Sequence, residues 1–108
     1  MKKGEIWNVV IPATNGHEQS GLRPVVVLSE VEVNVVLVVP FTCNVQALRF
    51  PHTINVDPTE KNGLRQISVA LVFQLRAIDQ KRLRKKVGEL EPEFLNKIEA
   101  MIRDILKL

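Results

Sequence analysis

The chain has 108 residues, 45% hydrophobic and 25% charged, the balance of one folded domain over 1–108 with a real core rather than a disordered segment. No apolar run reaches the roughly 18 residues of a membrane helix, and Met1-Lys2-Lys3-Gly4-Glu5 leads into no apolar segment, so neither a membrane anchor nor a signal peptide is expected. One Cys makes no internal disulfide and, with two His, is too few for a usual structural zinc site, so the expectation is a cytoplasmic protein without metal or other cofactor.

The first two thirds read as strands. Residues 5–11 form one that opens after Gly4 and ends at Pro12. A polar loop over 13–24 closes on Arg23-Pro24, where proline fixes the entry to the next strand. The β-branched runs 24–31 and 33–40 predict an antiparallel pair. A short strand over 53–56 stops at Asp57-Pro58, Asn62-Gly63 signals a turn, and 68–75 is a further strand. Asp79 then suits the N-cap of a short basic helix through Lys86, with Gly88 as its stop. A second helix starts at Glu91-Pro92 and carries Phe94, Leu95, Ile98, Met101, Ile102 and Ile105 on one face. Many short strands followed by helices predict a mainly β fold, a small barrel-like sheet with C-terminal helices on its side.

Net charge is +3, but it is unevenly placed. Residues 76–86 hold six cations against Asp79, a local balance of +5 that leaves −2 for the rest. Such a segment attracts polyanions, or is simply a solvated face. Two other segments interrupt the valine-rich runs with polar groups: Gly16-His17-Glu18-Gln19-Ser20-Gly21-Leu22-Arg23-Pro24 and Pro40-Phe41-Thr42-Cys43-Asn44. If the runs pair, Glu18, Arg23 and Thr42 meet at one end of a sheet, where an arginine suits a phosphate or a developing negative charge. The plainer alternatives are a surface ion pair for Arg23, a turn role for Thr42 and a loop-ordering role for Glu18.

Taken together the motifs resemble the MazF/PemK (Kid) family of toxin endoribonucleases. The matching pieces are Gly4-Glu5-Ile6-Trp7, the Glu18-Gln19-Ser20-Gly21-Leu22-Arg23-Pro24 string before a valine strand, Pro40-Phe41-Thr42, Ser68-Val69-Ala70-Leu71-Val72 leading to Gln74-Leu75-Arg76, and Val87-Gly88. The resemblance implies an SH3-like barrel, a homodimer, metal-independent cleavage of single-stranded RNA, and inhibition by an acidic MazE-like antitoxin that occupies the RNA groove. It also puts the family's active-site arginine, threonine and loop glutamate on Arg23, Thr42 and Glu18. Three departures stand out: Cys43 where a serine commonly follows the threonine, Phe73 where an acid is usual, and a connection near Val31-Glu32 far shorter than the family's loop.

The implied reaction is attack of the RNA 2′-hydroxyl on the adjacent phosphorus, giving a 2′,3′-cyclic phosphate and a 5′-hydroxyl. It needs an in-line nucleophile, stabilisation of the phosphorane charge and proton transfer. Arg23 supplies paired donors to the non-bridging oxygens and Thr42 a neutral donor. An arginine stays protonated, with a pKa above about 12, so Glu18 is the better candidate to accept the 2′-hydroxyl proton. RNA-binding candidates are Arg76 with Gln74 beside it, His17 and Gln19 in the polar loop and, more weakly, Arg49 and Arg65. A two-histidine site of His17 and His52 has nothing that places the pair together. Cys43 reads as a small buried side chain, and Trp7 as core rather than a base-stacking ring. Two other functions remain open: a CcdB-like gyrase poison on the same barrel, which lacks the arginine–threonine pair, and an RNA-binding barrel that has lost activity.

Overall fold

The computed structural model of the chain describes residues 2–11 and 21–108, the side chains of residues 11 and 21 excepted. Five strands form on the expected runs, where β-branched residues are frequent: β1 (Glu5–Ile11), β2 (Gly21–Glu32), β3 (Val35–Thr42), β4 (Thr53–Val56) and β5 (Ser68–Leu71); two more, β6 (Arg76–Asp79) and β7 (Leu83–Glu89), were not expected. A single helix, α1 (Pro92–Leu106), follows where a pair of helices was expected. The strands are antiparallel in the order β4-β5-β3-β2-β1-β7, with β6 also on β3. β2 and β3 are joined by a two-residue turn, Val33-Asn34, with Asn34 in the left-handed region at φ 67°. No helix among the described residues is long and apolar enough to cross a membrane.

Strand β3 forks the sheet. Its first half, Val35–Val38, pairs with β6, and its last residues, Phe41 and Thr42, pair with Ala70 and Val69 of β5. This explains the first departure from expectation. A strand running from Ser68 to Leu75 would need the β3 edge that β6 occupies, and Pro40 offers it no N–H. The chain therefore leaves the sheet after Leu71 in a 3₁₀ turn over Val72–Gln74.

The basic helix expected from Asp79 is one 3₁₀ turn, Gln80–Arg82. Asp79 caps it as expected, Oδ1 accepting the Lys81 N–H at 2.9 Å. The chain then extends as β7, because the open edge of β1 takes it up through the Trp7–Lys86 and Asn8–Lys85 pairs. Gly88 is accordingly no helix stop. It lies in β7, where an added Cβ would stand 2.5 Å from Asn62 and Lys61 backbone atoms.

Alternation along the valine strands fills two cores, one on each face of β1, β2 and β3. One holds Ile6, Val26, Leu28, Val39 and Phe41 against β4, β5 and α1, whose Phe94, Leu95, Ile98, Met101 and Ile102 pack on it. The other holds Val9, Val25, Val27, Val36, Val38 and Ile78, with Trp7 and Leu83 against it. Ile105, expected on the packed face of α1, is exposed. The hydrogen-bonded ladder is open: among the described residues no pairing joins β6 to β7.

Candidate active site

The second core ends in a polar rim. Val25 pairs with Pro40, so Arg23 and Thr42, two residues further along each strand, continue the same face. Arg76 joins them because it pairs with Val38, which lies on that face two residues before Pro40. These side chains, with Asn44, Ala47, Phe50, Leu71, Phe73 and Gln74, line a cleft of about 370 Å³. Arg23 and Thr42 are half-buried, whereas Gln74 and Arg76 are exposed. Strands thus carry Arg23, Thr42 and Arg76, and the turn before β6 carries Gln74.

Thr42 is oriented from behind. Its Oγ1 accepts the Asn44 N–H at 3.2 Å, which turns its own proton away from that amide. Asn44 Oδ1 in turn accepts the Gln46 N–H at 3.1 Å and caps the 3₁₀ turn over Val45–Arg49. Among the described residues the cleft lining holds two guanidinium groups and no carboxylate. Among the described residues neither Arg23 nor Arg76 has a carboxylate within 4.0 Å. Chemically this is a receptor for an anion with two or more acceptor oxygens.

Of the residues singled out in the sequence, Arg23, Thr42, Gln74 and Arg76 share the cleft. Arg49 stands at its edge, its guanidinium carbon 5.1 Å from the centre of the Phe50 ring. Arg65 is elsewhere, in a second cleft of about 390 Å³ with Asn8, Lys85 and Lys86. Cys43 lines that second cleft too and is exposed rather than buried, because β3 ends at Thr42 and the backbone alternation sends the two side chains apart. His52 is occupied by Asp104 of α1 at 2.7 Å. His17, Glu18 and Gln19 lie outside the described residues. Trp7 packs on the second core as expected, its Nε1–H donating to Glu5 Oε1 at 3.1 Å.

Burial pushes the Glu5 carboxyl up, but hydrogen bonds from Trp7, the Lys2 backbone and Lys86 outweigh it and hold the pKa below the ordinary value. Glu91 follows the same pattern, with Thr59 and Asn62 as its donors. Both are structural groups, outside the cleft. Sequence reasoning missed Asn44 and Phe50. Asn44 was visible as a cap before Val45; Phe50 had no local signal, since its partner Phe73 arrives through the tertiary fold.

Residues 2–106 match the family described as PemK-like, MazF-like toxin of type II toxin–antitoxin system. Endoribonuclease EndoA of Bacillus subtilis (strain 168) is 29% identical over 112 residues, covering 100% of this chain and 96% of that protein. MazF (Form-I) from Deinococcus radiodurans superposes with a TM-score of 0.78 at 22% identity, over 100% of this chain and 97% of that one. An endoribonuclease in complex with its cognate antitoxin from a Mycobacterial species superposes at 0.70 with 18% identity, over 98% and 92% of the two chains. A match that runs almost end to end leaves one assignment: the chain belongs to the PemK-like, MazF-like toxin family of type II toxin–antitoxin systems.

Proposed function

We propose that this chain is the RNA-cleaving toxin of a toxin–antitoxin pair, an endoribonuclease acting on single-stranded RNA in the cytoplasm. Family membership and the likeness to Endoribonuclease EndoA support the activity. The observation that carries the reading to named residues is the shared cleft of Arg23, Thr42 and Arg76, cationic and without a carboxylate among the described residues that line it. A gyrase poison of the CcdB type has no use for the arginine–threonine pair. Loss of activity through Cys43 finds no support either, since that side chain faces the other cleft.

In the proposed reaction the RNA 2′-oxygen bonds to phosphorus as the bond from phosphorus to the 5′-oxygen breaks. The products are a cyclic phosphate and a 5′-hydroxyl. Arg23 donates to the non-bridging oxygens and stabilises the charge that grows on them, acting as a preorganised oxyanion donor. Thr42 adds a neutral donor, its proton free because Asn44 supplies the hydrogen bond its oxygen accepts. Glu18 takes the proton of the 2′-hydroxyl, and the leaving 5′-oxygen takes a proton from solvent water. Arg76, Gln74 and Arg49 hold the flanking RNA, with His17 and Gln19 from the loop. No step calls for a metal ion.

The strand order β7-β1-β2-β3-β6, with the Gln80–Arg82 turn bridging its two end strands, supports an SH3-like barrel around the second core. An acidic antitoxin is the expected protein partner, a role consistent with the antitoxin complex among the structural relatives and with the cationic cleft of Arg23 and Arg76 that it would occupy. A homodimer is the expected assembly.

The test is incubation of the purified protein with a long single-stranded RNA in chelator, followed by mapping of the ends. Discrete cuts with 5′-hydroxyl ends are expected, and Arg23→Ala should slow them about tenfold to a thousandfold. Intact RNA, or an Arg23→Ala variant as fast as the parent, would overturn the assignment.

A further inference from the structure

Phe50 and Phe73 are 44% and 43% exposed although both are large apolar side chains. They touch each other, with ring centroids 5.8 Å apart and planes inclined by 52°. Both also line the cleft that holds Arg23, Thr42 and Arg76. The Arg49 guanidinium lies over the Phe50 ring. With Phe50 backed by that cation and set at an angle, Phe73 is the platform and Phe50 its wall.

From this geometry we infer that Phe73 and Phe50 form a base-stacking subsite, which takes the nucleobase next to the phosphate held by Arg23. The inference rests on the proposed RNA-cleaving function and adds a specificity determinant to it. Water is a poor partner for two adjoining phenyl faces, and a flat π-surface is a good one. Within the same cleft the neighbouring charges are cationic, so the ligand that covers the rings also carries anionic groups. A nucleotide in an unpaired strand has both parts in that arrangement, its base free to leave its neighbours and stack on a side chain. A base stacked on Phe73 meets Phe50 with its edge, which limits its size and orientation. The subsite therefore biases which bases flank the cut.

The experiment uses a single-stranded RNA carrying a 2′-deoxy nucleotide at the mapped cut, so that it binds without being cleaved, with 2-aminopurine scanned through the flanking positions. The protein should quench the fluorescence at one position. Phe73→Leu should abolish that quench and weaken binding about fivefold to a hundredfold, while Phe73→Trp should keep both. On an RNA with an abasic residue at that position, parent and Phe73→Leu should bind alike, which no purely structural role of Phe73 predicts. Equal quenching by the parent and Phe73→Leu would overturn the subsite, as would an equal loss of binding on the abasic RNA. A Phe73→Leu variant with normal RNA binding but weakened capture of an acidic peptide would also overturn it and make the rings a protein-docking surface. Failure of the parent to cut RNA in chelator sinks the enzymatic reading itself. Normal cutting by both parent and Phe73→Leu, at the same sites, leaves the enzyme and removes only the platform.

Discussion

The Asn44 amide and the Thr42 hydroxyl are joined by a 3.2 Å hydrogen bond in which Thr42 Oγ1 is the acceptor. A hydroxyl has one proton to give, and satisfying its oxygen from the backbone reserves that proton for the cleft. The relationship gives a sharp test of Thr42. Serine keeps the donor and should keep most of the activity. Valine keeps the shape of the side chain but gives nothing to the phosphate, and should lower kcat by about tenfold to a hundredfold with little change in folding. Single-turnover cleavage rates for the two variants check it; equal rates would reduce Thr42 to a turn residue.

Arg76 reaches the same cleft from the other edge of β3. If it neutralises a phosphate, Arg76→Ala should flatten the dependence of log Kd on log salt by about 0.7, the value for one contact to a single strand. Lys81 serves as the control: it is as cationic, but it lines a separate hollow with Asp79, Arg82 and Arg84. Lys81→Ala should leave the slope where it was. Binding titrations at several salt concentrations decide between a cleft contact and a general field.

How much of this was legible in the sequence depended on whether the deciding contacts were local. β1 and β4 follow their β-branched runs to the residue, and α1 begins at its proline with its apolar face as read except at Ile105. Arg23 and Thr42 converge because the two valine runs pair, which their β-branched composition already indicated. The segment from Leu71 to Glu89 was misread because its fate is set elsewhere. Leu83 and Val87 have helical spacing, yet the free edge of β1 and the contested edge of β3 draw their surroundings into strands. Phe50 was invisible for the same reason: only folding brings it against Phe73.

Gly88 gives that misreading a stability consequence. As a helix stop it would resist alanine only through local backbone strain. Within β7 its missing side chain lets the turn before Gly63 press in, and the Glu89 amide donates to Lys61 O at 2.9 Å across that approach. Gly88→Ala forces the turn outward and should cost about 1–3 kcal/mol, lowering Tm by roughly 4–8 °C for each kcal/mol. The candidate active-site cleft is lined by other residues, so cleavage well below the melting range should be unchanged. A thermal melt and a rate measured at low temperature separate the two effects.

Glu5 should make stability depend on acidity. Its carboxyl is held below the ordinary value of 4.5 by Trp7, the Lys2 backbone and Lys86, against the opposing effect of burial. A folded-state pKa lower than the unfolded one means that the unfolded chain binds the proton first as pH falls. The contribution of Glu5 is therefore complete above the unfolded value and is lost as pH drops through the folded one. Glu5→Gln retains an oxygen for the Trp7 N–H but removes the charge that Lys86 approaches at 3.2 Å. The stability gap between parent and Glu5→Gln should hold steady from pH 7 down to about 5 and shrink below 4.5. Urea midpoints measured across that range test it. A gap that stays the same at pH 3 would mean that the carboxyl acts through its shape and hydrogen bonds rather than its charge.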